Sequence, residues 1–169
     1  NGCMSRRNAR TAGKNAPSAN PGYVIREQRL ALVQERKVLY MPQATLTGPE
    51  AAAACARKVL GSEPRENFLV FALSAAGAIT GMFRAAIGST SRLQIEKRIV
   101  IQYAMCANAR AIVIAHNHPS GDPTPSEEDV VTTANIKAAC EAVGICLLDH
   151  VIVTPFGGRL HSFANHGAL

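Results

Sequence analysis

His116-Asn117-His118-Pro119-Ser120-Gly121-Asp122-Pro123-Thr124-Pro125-Ser126-Glu127-Glu128-Asp129 follows the apolar run Ala111-Ile112-Val113-Ile114-Ala115. That run is too short for a helix and rich in β-branched residues, so it reads as a buried strand. Histidines at i and i+2 on the end of a strand point to the same face, side by side. Pro119, Gly121, Pro123 and Pro125 forbid regular structure and force a loop. Ser126 with Asp129 three residues later reads as the start of a helix. Strand end, rigid loop and helix start thus bring two imidazoles and a carboxylate together. Three N/O ligands with an open fourth position are the donor set of a catalytic zinc site rather than a structural one.

Each of these residues alone has an ordinary reading. Ser126 and Asp129 are also what a helix cap needs, with Asp129 serving the helix dipole. His116 and His118 could be loop histidines satisfied by backbone groups. It is their joint occurrence around a proline-locked loop that points to a metal.

The spacing His-x-His, seven residues, Ser, two residues, Asp resembles the JAMM (JAB1/MPN) metalloprotease motif. In its full form, with Asn between the histidines, it is similar to the bacterial RadC-type branch. The similarity runs over residues 40 to 163 and includes Leu147-Leu148-Asp149-His150-Val151-Ile152-Val153. The resemblance implies an α/β fold of the MPN type: three layers, a curved mixed β-sheet flanked by helices, related to the cytidine-deaminase architecture. It also implies one more functional residue, an upstream Glu opening a hydrophobic strand. Arg65-Glu66-Asn67-Phe68-Leu69-Val70 matches that place, which makes Glu66 the candidate. Read without the family, Glu66 is an exposed acid before a strand.

Composition sets the frame. A chain of 169 residues with 47% hydrophobic and 18% charged residues is expected to form one soluble globular domain with a real core. The five cysteines, Cys3, Cys55, Cys106, Cys140 and Cys146, contain no C-x-x-C and cannot all pair. Cys55, Cys106 and Cys140 lie in apolar helical patterns, as reduced core thiols would, and this points to the cytoplasm. The net charge of +6 invites a nucleic-acid partner, but Arg6, Arg7, Arg10 and Lys14 carry four of those charges, leaving +2 for the rest. A basic leader makes weak, non-specific, salt-dependent contacts with any polyanion. The basic start has no apolar h-region and so is not a signal peptide. The most apolar stretch, Phe68 to Phe83, is interrupted at Ser74 and Gly77, so no membrane partner is expected. No motif specifies an oligomeric state.

Along the chain, residues 1–20 form a leader expected to be disordered, because they offer almost nothing to bury. Residues 21–45 make an N-terminal extension, with Tyr23 to Val38 expected to run extended along an edge. Residues 46–169 make the RadC-type JAB/MPN domain. Within it, Thr47-Gly48-Pro49-Glu50 predicts a capping box for a helix over Ala51 to Leu60, ended by Gly61. Phe68–Leu73 and Ala78–Ile87 predict a hairpin around Ala75-Ala76-Gly77. Ser91 is expected to start a helix with Ile95, Ile99, Tyr103 and Cys106 on one face. After the histidine strand and its loop, a helix from Ser126 to about Val143 leads to a strand over Ile145–Val153 and a short one over Leu160–Phe163. Hairpin-linked strands among helices make the sheet mixed.

The resemblance implies a zinc-dependent hydrolase that cleaves peptide or isopeptide bonds in a protein or peptide substrate. It implies zinc ligation by His116, His118 and Asp129, proton transfer by Glu66, and oxyanion stabilisation by Ser126. His150 is expected to pack or make a hydrogen bond and otherwise to support a metal ligand from behind, and Asp122 to form an Asx turn. The helix-hairpin-helix segment that often precedes the domain in longer relatives has no match, so the chain is expected to be the catalytic module with a short leader. Two stretches depart from the RadC-type pattern: Glu96-Lys97-Arg98-Ile99, where His-Pro-Arg-Glu is usual, and Leu73-Ser74-Ala75, where Leu-Asp-Thr is usual. Neither touches a ligand position.

Other classes fit less well. An HNH nuclease spreads its residues over a ββα element instead of three consecutive positions. A zinc deaminase needs H-x-E and P-C-x-x-C, and neither occurs. The remaining alternative is a DNA-associated or scaffolding module that keeps the metal site without proteolysis.

Overall fold

Two segments with every residue buried, Asn67–Leu73 (β1) and Ala111–Asn117 (β3), run antiparallel through the middle of a five-stranded sheet. The computed structural model describes residues 31–33, 45–60, 63–87, 95–156 and 158–169. β2 (Ile79–Ile87) folds back on β1 as a hairpin, β4 (Cys146–Val153) lies parallel to β3, and β5 (Leu160–Ser162) closes the far edge antiparallel to β4. The order is β2-β1-β3-β4-β5, with α1 (Pro49–Leu60), α2 (Lys97–Cys106) and α3 (Glu127–Ala142) completing the chain. Parallel neighbours require a crossover, and α3 supplies it between β3 and β4.

The sheet is covered on both faces, which explains why its central strands read as unbroken apolar runs. Leu69, Phe71, Leu73, Val113, Ala115, Val151 and Val153 pack against Ala52, Ala53, Cys55, Ala56 and Leu60 of α1. On the other face Phe68, Val70, Ile112, Ile114 and Leu147 pack against Val100 and Ala104 of α2 and Ile136 and Cys140 of α3. The result is the three-layer α/β arrangement with a mixed sheet expected of an MPN-type fold.

Local signals account for most boundaries. Gly77, at φ 73°, makes the turn of the hairpin, and its N–H donates to the Ser74 carbonyl at 3.0 Å. Gly144, at φ 72°, follows α3, a left-handed conformation that glycine adopts without a Cβ penalty. The start of α1 differs from expectation. Pro49 is the first helical residue and the Ala52 N–H donates to the Gly48 carbonyl, so Gly48 rather than Thr47 holds the cap. Pro49 has no N–H to lose and a φ already suited to the first turn, which outweighs a Thr47–Glu50 box. Helix α2 begins at Lys97 behind Glu96, later than Ser91, which lies outside the described residues. Its buried residues are Val100 and Ala104; of the face assigned to Ile95, Ile99, Tyr103 and Cys106, the half-buried Ile95 and Tyr103 pack against the same cluster. Of the extension expected between Tyr23 and Val38, residues 31–33 carry no regular structure and are exposed; the rest, with the leader and Gly61, lies outside the described residues. Cys55 and Cys140 are buried as expected of core thiols, Cys106 is only half-buried and Cys146 is exposed, and none of the four is in a disulfide.

Candidate metal centre

Strand alternation sorts the His-Asn-His triplet. His116 shares its face with Ile112 and Ile114, so it points to the α3 side; Asn117 points to the α1 side. His116 is almost fully buried, its ring stacked on Phe68 with centroids 6.0 Å apart. His118 leaves the strand but keeps the same parity, and its ring lies 4.7 Å from that of His116. The loop then turns back. The His118 N–H is tied to the Val153 carbonyl at 2.9 Å, and Asp122 Oδ1 accepts the Thr124 N–H at 3.0 Å and its hydroxyl at 2.8 Å, which is the expected Asx turn. Arg159 donates to the Gly121 carbonyl at 2.7 Å, pinning the loop to the β4–β5 connection.

Ser126 caps α3. Its hydroxyl accepts the Asp129 N–H at 3.2 Å and its own N–H donates to Asp129 Oδ2 at 2.8 Å, a reciprocal capping box. The Ser126 hydroxyl proton is also given to Asp129 Oδ2, at 2.6 Å. Asp129 is thereby held in one rotamer, aimed at the histidines. His116 Nε2 lies 2.9 Å from His118 Nε2 and 3.2 Å from Asp129 Oδ1, and His118 Nε2 lies 3.5 Å from Asp129 Oδ2. A tetrahedral zinc with ligands at about 2.0–2.1 Å has ligand–ligand edges of about 3.3–3.4 Å, and the three separations bracket that value. His118 Nδ1 sits 2.8 Å from the Asp122 carbonyl, which can only accept, so Nδ1 carries a proton and Nε2 is the nitrogen that offers a lone pair when the ring is neutral. Two imidazole nitrogens and a carboxylate therefore converge on one point, and this donor set fits a divalent cation with a free coordination position. Among the described residues, His116, His118 and Asp129 are the group of potential ligand atoms that meet in this way.

Electrostatics fit the same purpose. Burial lowers the His116 pKa from 6.5 to about 4, Asp129 working against it, so the ring is neutral. For Asp129, burial raises the pKa, but the hydrogen bond from His118, the nearby His116 and the two Ser126 donors win and hold it well below the usual carboxylate range. His118 is raised: burial opposes the proton, while the Asp129 hydrogen bond and the Asp122 carbonyl retain it.

Glu66 lies one residue before β1. The antiparallel register ends with Phe68 paired to His116, so Glu66 comes two residues past that pair, on the side of His118. Its carboxyl pKa is raised, first by burial and then by Asp129 and Glu128, with His118 pulling the other way. A carboxylate with raised basicity at the rim of the site is suited to proton transfer.

Asn117 was given no role by the sequence. Its buried carboxamide accepts the Asn67 N–H on Oδ1 at 2.8 Å and donates from Nδ2 to the Arg65 carbonyl at 3.0 Å and the Glu63 carbonyl at 3.3 Å. The Arg65 carbonyl and the Asn67 N–H belong to the two peptide units that flank Glu66, so one amide fixes the backbone on both sides of that residue. The buried Asn67 side chain adds a second bond to the Arg65 carbonyl at 2.8 Å and accepts from Arg84. Asn117→Ala leaves the buried Asn67 N–H without its acceptor, and an unfolding midpoint shift worth about 1–3 kcal/mol is expected in denaturant titration.

His150, expected to pack or make a hydrogen bond and otherwise to support a metal ligand from behind, is buried on β4 with Nε2 2.8 Å from His116 Nδ1, its ring stacked on Phe163 at 4.7 Å. His161, in β5, stacks on His166 at 4.2 Å and meets the edge of Phe163 at 5.1 Å, on the far side of the Phe163 ring pair from the candidate ligands.

Comparison with known proteins agrees with the geometry. A family model described as "RadC-like JAB domain" matches residues 46–168. A UPF0758 protein of Coprothermobacter proteolyticus is 36% identical over 115 residues, covering 66% of this chain and 49% of its own length. One from Chromobacterium violaceum is 39% identical over 124 residues, covering 73% and 54%. One from Thermotoga maritima is 41% identical over 105 residues, covering 62% and 46%. The chain spans about half the length of the curated relatives it matches. Among the described residues, no helix is long and apolar enough to cross a membrane. With a family model matching most of its length and a His/Asp cluster at the end of its central strand, the chain belongs to the RadC-like JAB domain family.

Proposed function

We propose that this domain is a zinc-dependent hydrolase of peptide or isopeptide bonds. The observation that carries the reading is the convergence of His116 Nε2, His118 Nε2 and Asp129 within 2.9–3.5 Å; the Glu66 carboxyl, which feels the charges of His118 and Asp129, supports it. A zinc ion held by His116, His118 and Asp129 would polarise a scissile carbonyl and acidify a water. Glu66, outside the ligand set, takes the proton from that water and delivers it to the leaving amine. Ser126 donates to the developing oxyanion once its hydroxyl rotates off Asp129. Asn117 keeps Glu66 from drifting as its charge changes.

The test pairs elemental analysis with a peptide-library digest. One zinc per chain is expected, together with cleavage that a chelator stops and added zinc restores. A metal-loaded protein that binds peptides or DNA and cleaves nothing would replace the hydrolase with a binding or scaffolding module that keeps the metal.

A further inference from the structure

The two buried rings His116 and His150 and the hydroxyl of Thr133 form a chain of hydrogen bonds whose direction can be worked out from one end. Thr133 Oγ1 lies 2.6 Å from the Asp129 carbonyl oxygen and 2.6 Å from His150 Nδ1. A carbonyl oxygen only accepts, so the first contact is attractive only if Thr133 gives it its single proton. The Thr133 lone pair then faces His150 Nδ1, which must donate. That leaves the proton off His150 Nε2, which accepts from His116 Nδ1 at 2.8 Å. With its proton on Nδ1, neutral His116 carries its lone pair on Nε2, the atom that faces His118 and Asp129.

We propose that Thr133 and His150 are positioning residues that lock His116 in the tautomer able to bind a metal through Nε2. The opposite direction, with Thr133 donating to His150, would put a proton on His116 Nε2 and close the site to a cation. The chain also has a definite origin. Thr133 takes its direction from the backbone carbonyl of Asp129, whose side chain is the third candidate ligand, so one residue at the start of α3 both supplies a ligand and sets the tautomer of another. Thr133, His150 and Phe163 are each almost fully buried, so water cannot easily substitute for any link. Partners of this kind typically contribute about 10–100-fold to metal affinity.

The proposal rests on the metal reading of His116, His118 and Asp129, and two measurements separate the two. Long-range ¹H–¹⁵N correlation spectra of the wild-type protein report each imidazole tautomer directly, with or without added Zn²⁺. Protons on Nδ1 of both His116 and His150 are expected; a proton on His150 Nε2 overturns the proposal. Zn²⁺ affinity is then measured by competition with a chromophoric chelator. Thr133→Val, which keeps shape and loses the hydroxyl, is expected to bind Zn²⁺ about 10–100-fold more weakly, and Thr133→Ser to recover most of that loss. Wild-type affinity in Thr133→Val overturns the relay while leaving the metal site standing. Absence of Zn²⁺ binding by the wild type overturns the metal reading, and with it the purpose assigned to the relay.

Discussion

Glu66→Gln is expected to reduce cleavage by about 10²–10⁴-fold while leaving the metal in place, because general base transfer typically contributes that much to a hydrolytic step. Gln preserves the shape of the side chain and its place on the side of His118, and removes only the group that accepts a proton. Asn117 still fixes the peptide units on either side of it, through the Asn67 N–H and the Arg65 carbonyl. His118→Ala should behave differently, losing stoichiometric zinc and activity together, since it deletes a donor whose Nε2 sits 2.9 Å from that of His116. The pair of variants separates proton transfer from ligation. Kinetics and zinc content measured on the same preparations check it. Full activity in Glu66→Gln would remove the proton-transfer role and with it the proposed peptidase mechanism.

Acidification should destabilise the metal-free protein by about 3 kcal/mol as pH falls from 6.5 to about 4, the span over which His116 is shifted. The folded ring resists a proton until about pH 4, whereas the unfolded ring takes one near 6.5. Between those values the unfolded state binds more protons, so stability is complete above the window and drains away below it. His150, pushed well below 6.5 by burial and by His116, acts in the same direction. His118 is raised and gains on acidification, which offsets part of the loss, but it is only half-buried whereas the other two rings are fully enclosed. The contribution of Asp129 persists to lower pH, because its carboxyl is depressed. Urea midpoints of the metal-free protein at about pH 7.5 and about pH 5 give the answer, and equal midpoints would contradict the buried neutral state of these rings.

How much of this could be read before folding depends on how local each signal is. β1, β3 and α3 were legible because each carries its own evidence: unbroken apolar runs for strands covered on both faces, and Ser126 with Asp129 for a helix start. The loop was legible for the same reason, since its prolines and Asp122 act on their immediate neighbours. The start of α1 was misplaced by one residue because Thr47-Gly48-Pro49-Glu50 supports two caps, and the proline decides between them. In α2 the buried Val100 and Ala104 lie beside the expected face of Ile95, Ile99, Tyr103 and Cys106, because this short helix carries apolar residues on more than one side. The candidate site divides along the same line. His116, His118 and Asp129 lie within one motif, and their meeting was foreseeable from it. Asn117 reaches back about 50 residues to Arg65 and Asn67, and His150 couples to His116 across 34 and to Thr133 across 17. Contacts of that range come from sheet register and helix packing, which leave no mark in the local pattern.

The central strand has one more consequence. β3 is bonded along both edges, to β1 and β4, and covered on both faces by helices, so no part of it can separate from its neighbours without parting the sheet. His116 and Asn117 sit at its end and inherit that resistance to local opening. Asp129 stands instead in the first turn of a helix, at the end of a loop of alternating half-buried and exposed residues held by a few polar bonds. The cluster therefore joins two kinds of anchorage, sheet pairing for His116 and cap and loop bonds for Asp129. His116 can move only with the sheet, whereas the position of Asp129 is set by the start of one helix and the bonds of the Ser126 cap.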